Sequence, residues 1–343
     1  MDRTAKINRP RSDAMLQCAI LNDYQGVALR LGDWQSLGDK VSFTTFEYAF
    51  ASHSETIEQL KPFDIVCAMR ERTRFPREVL EQLPNLKLIA TAGFRNAAID
   101  IEAAAELGII VSGTRPPDPA SHGFHTATLA LGLMLELARN IGAHNLRLKQ
   151  GGHWQTTIGV DLYGATLGIL GLGRIGRRIA AMAKPLGMQI IAWSENLTPE
   201  ACQEVGVEHV SKAELFARSD FLTVHQVLTD RTRDLIGEPE LALMKPTSFL
   251  INTSRGEIIN EPALIDALQR HVIRGAGLDV FAIEPLPHDH IFRRLDNVVI
   301  TPHIGHVTEL AYRNIYSDMI ENIGNWINDR PLRGLQVHPS QTK

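Results

Sequence analysis

From Leu16 onward, short apolar runs alternate with polar, helix-patterned segments: "LQCAIL", "VSFTTF", "DIVCAM", "LKLIATAG" and "GIIVSG". Strands alternating with helices in this way predict a parallel sheet covered on both faces. The series stops at "GTRPPDPASHG", whose prolines, glycines and small polar residues continue neither element, so a linker is expected at 114–123. After it, "FHTATLALGLMLELARNIGAHNLRLK" carries apolar residues at three- and four-residue spacing. That spacing predicts one long helix, with a stripe buried against another body, either the second domain or a partner subunit. A second α/β series follows: "ATLGIL", "MQIIAW", "DFLTVHQV", "SFLINTS", "RGAGLDV" and "NVVITPH", closed by a final helix around "VTELAYRNIYSDMIENIGNWI".

Composition narrows the function classes. The 343 residues are enough for two domains, each with its own core. With 44% hydrophobic residues, 22% charged residues and a formal net charge of −4, the chain lacks the basic excess of a nucleic-acid binder. Cys18, Cys67 and Cys202 lie far apart and form no CxxC pair, which reads as reduced thiols in a cytoplasmic protein. The most apolar helix, "LALGLMLELA", is interrupted by Glu136 and is too short to span a bilayer. The first fifteen residues carry no apolar stretch of signal-peptide length. The expected protein is soluble and bound to no membrane. Residues 1–14, polar and unpatterned, are expected to be a disordered extension, with Met15 an alternative start.

"GLGRIG", Gly171–Gly176, follows an apolar strand and opens a helix. This context aims a helix N-terminus and its backbone N–H groups at a pyrophosphate. Gly171 is assigned to the tight turn, Gly173 to the close approach of the phosphates and Gly176 to helix-to-strand packing, with Leu172, Arg174 and Ile175 completing the cradle. The bland alternative is an ordinary glycine turn. At the end of the next strand stand Ser194, able to bond a ribose hydroxyl, and Glu195, which repels a 2′-phosphate; no Arg or Lys occurs between Ser194 and His209. NAD is therefore expected over NADP.

Three later strand ends present a charged or titratable group: Arg255 after "FLINTS", Glu284 after "GLDVF" and His303 after "NVVI". Ligands of open parallel sheets bind at the carboxyl ends of the strands. Each residue alone reads as a solvated loop arginine, a turn carboxylate or a structural histidine. Together they supply what carbonyl reduction needs: a cation for a carboxylate, a proton donor, and a carboxylate that keeps the donor charged and oriented.

On "GILGLGRIGRRIA", "INTSRGEIINEPALIDAL", "GLDVFAIEPLP" and "TPHIG", the chain resembles the D-isomer-specific 2-hydroxyacid dehydrogenases from about Met15 to the final helix. The resemblance implies two Rossmann-like, doubly wound parallel-sheet α/β domains, with the nucleotide domain inserted into a flavodoxin-like substrate domain. The substrate domain is expected at 15–117 and 309–343. The NAD-binding domain is expected at 118–308, including the long helix as the element of a homodimer interface. The resemblance further implies that Arg255 binds the substrate carboxylate and ketone oxygen, that His303 donates the proton and that Glu284 pairs with His303. Arg70 and the loop Gly93, Phe94, Arg95 and Asn96 are implied to meet the substrate, the loop through its backbone N–H groups, and His306 to stand near the pocket mouth. His225, Thr253, Asp279 and Gly305 are implied to join the cofactor site. The chain departs from the family pattern at Ser194, His306, Arg95, Thr128 and Val227.

The expected activity is NAD-dependent hydride transfer at C2 of a small 2-keto or 2-hydroxy acid. Alternatives are an NAD(H)-sensing, corepressor-like binding protein of the same fold and a D-3-phosphoglycerate dehydrogenase, for which Arg70, Arg72, Arg74 and Arg95 offer phosphate contacts. Formate dehydrogenase is disfavoured by Glu284, where that branch has Gln. "PHDH", ending at His290, reads as a polar loop and no metal is expected.

Overall fold

The computed structural model describes residues 15–115 and 123–335, so the expected N-terminal extension and most of the expected linker lie outside the described residues. The chain divides into two compact units, Met1–Pro117 with Thr308–Lys343, and Asp118–Val307. The second crossing lies one residue earlier than expected, because Thr308 caps the last helix, Glu309–Ile327, by accepting the Ala311 N–H.

The first unit is built on five parallel strands: β1 Leu16–Ile20, β2 Val41–Thr45, β3 Ile65–Ala68, β4 Leu88–Thr91 and β5 Ile110–Gly113. Their order is β2-β1-β3-β4-β5, which reverses between β1 and β3. Both β3 and β4 are buried along their whole length, which is why their sequences run apolar without alternation. The last helix covers this sheet with Tyr312, Tyr316, Met319 and Ile323 turned inward. Arg115 closes the unit: its backbone N–H and Nε each donate to Asp318 at 2.7 Å, and Glu321 bridges Arg115 and Arg333 at 3.0 and 2.5 Å.

The second unit carries seven parallel strands: β6 Thr166–Leu170, β7 Gln189–Trp193, β8 Glu208–His209, β9 Phe221–Val224, β10 Phe249–Asn252, β11 Gly275–Leu278 and β12 Val298–Ile300. Their order is β12-β11-β10-β9-β6-β7-β8, with the reversal between β6 and β9. Such a reversal opens a crevice at the carboxyl ends of the strands, where open α/β sheets bind ligands.

The expected single long helix is two helices, Phe124–Arg139 and Ile141–Lys149, broken at Asn140. Asn140 takes the left-handed conformation, φ 51° and ψ 42°, which asparagine tolerates better than most residues. The Glu136 carboxylate then accepts the Gly142 N–H at 2.8 and 3.0 Å and caps the new helix. The stripe of the first helix, Ala127, Ala130, Leu133, Met134, Leu137 and Ala138, is buried within its own unit. Gly277 in β11 makes this possible, since a Cβ there would already stand 3.2 Å from Leu133 and Leu137. Full burial of each leucine contributes about 1.5–3 kcal/mol. The second helix buries nothing and leaves Ile141, Leu146 and Leu148 exposed. Of the two bodies expected to cover the stripe, it is the second domain that does so.

Candidate active site

The glycine turn lies where the second sheet reverses. After β6, Gly171 adopts φ +102°, and its N–H donates to Trp193 O at 3.0 Å, which sets the turn beside the end of β7. A Cβ on Gly171 would stand 2.7 Å from His225 O, and one on Gly176 would stand 2.2 Å from Gly171 O. Only glycine lets β6, β9 and the following helix approach so closely. Gly173 differs: a Cβ there would meet nothing within 4 Å, so the turn opens onto free space at this residue. Gly173 also begins the helix Arg174–Ala183 without a side-chain cap, which leaves first-turn N–H groups of Arg174 and Ile175 to an outside acceptor. Leu172 is buried in the core under the turn. Ser194 is half-buried and Glu195 exposed, directly after β7.

Two polar atoms nearby lie buried without a partner: Nδ1 of His225, after β9, and Oγ1 of Thr253, after β10. Burial pushes His225 down to about 3, so the ring is neutral at physiological pH. Unsatisfied buried groups beside an open glycine cradle fit a polar ligand such as a dinucleotide.

Arg255, Glu284 and His303 follow β10, β11 and β12. The His303 ring offers Nδ1 to Glu284 Oε2 at 2.6 Å, and the other Glu284 oxygen accepts the Phe281 N–H at 3.0 Å. Burial pushes the Glu284 carboxyl up, but the hydrogen bond and charge of His303, the Phe281 N–H and the Arg255 charge outweigh it, leaving the group below the usual carboxylate range. Arg255 stands in a loop braced by Asn252, whose side chain donates to Arg255 O at 2.8 Å and accepts the Ser254 N–H at 3.0 Å. Ser254 Oγ donates to Gln226 O. A Cβ on Gly256 would stand 2.1 Å from Phe281 C and 2.4 Å from Phe281 O. Gly256 therefore lets the Arg255 loop lie directly on the backbone that leads to Glu284.

Asp279 lies directly after β11. Its carboxylate, fully buried, accepts Thr301 Oγ1 at 2.6 Å, Ile304 N at 2.8 Å and Gly305 N at 2.9 Å. Burial raises its pKa, opposed by those three donors. The bonds fasten the turn in which His303 sits at φ +52°. Gly305 is drawn in further by Thr126, whose Oγ1 donates to Gly305 O at 3.1 Å. His306 packs edge-on to His303, with ring centroids 5.7 Å apart.

The remaining predicted residues belong to the first unit. Arg70, at φ +54°, follows β3, and its carbonyl accepts Asn96 Nδ2 at 2.7 Å. Asn96 also donates to Thr91 Oγ1 at 2.7 Å and accepts the Ala98 N–H at 2.9 Å, so its side chain shapes the loop. Gly93, at φ +106°, corrects one expectation: its N–H is taken by Thr114 Oγ1 at 2.9 Å and is not available to a carboxylate. Phe94 and the exposed Arg95 stack on one another, the guanidinium carbon 5.6 Å from the ring centre.

Sequence reasoning missed Asn252 and Gly256 and the bracing role of Asp279. The signals were present in "NTSRGE" and "LDVF", but their meaning depends on which loops touch.

Residues 131–305 match the model of the D-isomer specific 2-hydroxyacid dehydrogenase, NAD binding domain. The D-3-phosphoglycerate dehydrogenase of Methanocaldococcus jannaschii is 42% identical over 272 residues, covering 78% of this chain and 51% of that protein; the chain thus spans about half the length of this curated relative. The glyoxylate reductase of Thermococcus litoralis is 42% identical over 256 residues, covering 72% of this chain and 76% of that protein. Among solved structures, a phosphoglycerate oxidoreductase from Vibrio cholerae superposes with a TM-score of 0.85 at 33% identity, covering 92% of this chain and 100% of that one. Given the glycine cradle, the three strand-end residues and these matches, the chain belongs to the D-isomer specific 2-hydroxyacid dehydrogenase family.

Proposed function

We propose that this chain is an NAD-dependent D-2-hydroxyacid dehydrogenase that reduces small 2-keto acids or oxidises the corresponding D-2-hydroxy acids. The observation that carries the reading is the 2.6 Å contact of His303 Nδ1 with Glu284, beside an Arg255 loop packed onto the Glu284 backbone at Gly256. Bound NAD(H), cradled at Gly171–Gly176, supplies or accepts the hydride. Glu284 stays ionised at neutral pH and takes the Nδ1 proton of His303 in a hydrogen bond. Nε2 is then the nitrogen that exchanges a proton with the substrate oxygen, donating in reduction and accepting in oxidation. Arg255 holds the carboxylate and offsets charge growing on the ketone oxygen. Backbone N–H groups of Phe94, Arg95 and Asn96, with Arg70, are assigned to substrate binding, and His306 to limiting substrate size. Thr253, Ser194 and the neutral His225 are assigned to the cofactor. Glu195, with no Lys or Arg from Ser194 to His209, favours NAD over NADP.

A phosphoglycerate-type substrate is the second reading. It is favoured by Arg70 and Arg72, which follow β3 where the first sheet reverses, and by the Arg72 guanidinium lying 5.1 Å over the Tyr24 ring. Homodimerisation is proposed through Ile141, Leu146 and Leu148 together with Trp154, Ile158 and Tyr163, all exposed. A cytoplasmic location is proposed from the free thiols of Cys18 and Cys67, which hydrogen-bond at 3.8 Å without a disulfide. No described helix is long and apolar enough to cross a membrane.

The test is oxidation of NADH and NADPH with glyoxylate, hydroxypyruvate, pyruvate, phenylpyruvate and 3-phosphohydroxypyruvate. Turnover with NADH and at least one acid is expected. Tight NADH binding without turnover on this or a wider panel would move the assignment to a nucleotide-sensing binding protein.

A further inference from the structure

The loop that carries Glu284 is long, and its first residues are exposed: Ala282, Ile283 and Glu284 all lie toward solvent. One end is fixed where Phe281 meets Gly256. The other end is fixed by Phe292, 3% exposed in the core. Between them stands the second histidine of "PHDH", which no step of the proposed reaction uses. His290 Nε2 lies 3.2 Å from Glu261 Oε1, with the two side chains only 17% and 23% exposed. Glu261 begins the helix Glu261–Gln269, which directly follows the turn bearing Arg255 and Gly256.

Both ring nitrogens have a partner. Phe292 N donates to His290 Nδ1 at 3.3 Å, capping the short helical turn Ile291–Arg293. With Nδ1 an acceptor, the proton sits on Nε2 and is donated to Glu261. The ring thus joins two elements. The neighbouring cations are committed elsewhere, because Arg293 donates to Leu286 O and Pro287 O at 2.8 Å and Arg294 donates to Asp289 O at 2.9 Å. These bonds tie the loop to itself, whereas His290 ties it to the helix that follows the Arg255 turn.

Resting on the proposed dehydrogenase reading, we infer that His290 and Glu261 are a positioning pair that holds Glu284 against His303 and couples that contact to the placement of Arg255. The two residues touch neither substrate nor cofactor. They act by removing freedom from the loop between its fixed ends, so that the Glu284 carboxylate stays within reach of the imidazole it orients.

The two ring nitrogens are separable by substitution. His290→Asn keeps an acceptor near the Nδ1 position and preserves the Phe292 cap but deletes the reach to Glu261. His290→Gln keeps a donor near the Nε2 position and preserves that reach. The experiment measures kcat/KM and its pH profile, NADH affinity, thermal stability and the downfield proton resonance of the imidazole N–H shared with Glu284. Expected for His290→Asn are a roughly tenfold loss of kcat/KM carried by kcat, an altered pH profile, unchanged NADH affinity and loss of the resonance. His290→Gln is expected to recover all of these. If His290→Asn does not fold, Glu261→Ala makes the same test with the Phe292 cap intact. The resonance does not depend on turnover: its loss in an enzyme that reduces no 2-keto acid would refute the dehydrogenase reading and leave the positioning pair standing. A folded His290→Asn with wild-type kcat, pH profile and resonance would overturn the pair. So would loss of thermal stability alone.

Discussion

Gly256→Ala is the smallest change that separates the Arg255 loop from the Glu284 loop. The added methyl would stand 2.1 Å from Phe281 C, 2.4 Å from Phe281 O and 2.5 Å from Ala282 N, all backbone atoms that cannot rotate away. Carbon atoms in contact prefer about 3.5–4.0 Å, so the loops must part by roughly 1.5 Å. Overpacking of this kind costs about 1–3 kcal/mol, or a melting temperature lower by roughly 2–12 °C for a unit of this size. The catalytic effect is larger, because a misplacement of about 1 Å can cost about a hundredfold in rate. A loss of about a hundredfold in kcat/KM is therefore expected, equivalent to about 2.7 kcal/mol of transition-state stabilisation. The assay is steady-state reduction of the best 2-keto acid, with NADH affinity measured by fluorescence. Gly173→Ala is the control: its methyl meets no protein atom within 4 Å, so melting should not change while NADH binding weakens by roughly tenfold. A Gly256→Ala enzyme with wild-type melting and wild-type kcat/KM would refute the reasoning, since the loops would then be free to part without consequence.

Other outcomes follow from the same geometry. Glu284 is held below its unfolded pKa, so its pairing stabilises the fold above about pH 4.5, and that contribution is lost as pH falls through the lower folded value. Glu284→Gln should accordingly lower the melting temperature at pH 7 and converge with wild type in acid, with kcat/KM reduced about a hundredfold at neutral pH; melting curves across pH read the first effect. Asp318→Ala removes two of the three carboxylate oxygens that Arg115 bonds, leaving Glu321, and Arg115 is itself 59% exposed, so the cost should be only about 1–2 kcal/mol in chemical denaturation.

Much of this architecture is legible in the sequence because a parallel sheet writes its strands as apolar runs. Runs such as "DIVCAM" and "SFLINTS" contain β3 and β10, which are buried along their whole length. The three strand-end groups were equally legible, since charge just past an apolar strand is a local signal. The break at Asn140 was not, because the apolar spacing continues across it and only the backbone angle changes. The work of Gly256 and Asp279 was hidden for a different reason. A glycine that admits a neighbouring loop, and a carboxylate that gathers three donors, depend on tertiary contacts between residues 22 to 26 positions apart. Gly93 shows the same limit, since the family loop was readable but the Thr114 hydroxyl that occupies its N–H was not.

The central claim is that His303, oriented by Glu284, moves the proton. The direct test is His303→Ala assayed with the best 2-keto acid under single-turnover conditions, alongside NADH affinity. The account predicts a loss of about 10²–10⁴-fold in the rate of reduction with NADH binding unchanged. Reduction at the wild-type rate without the imidazole would contradict it.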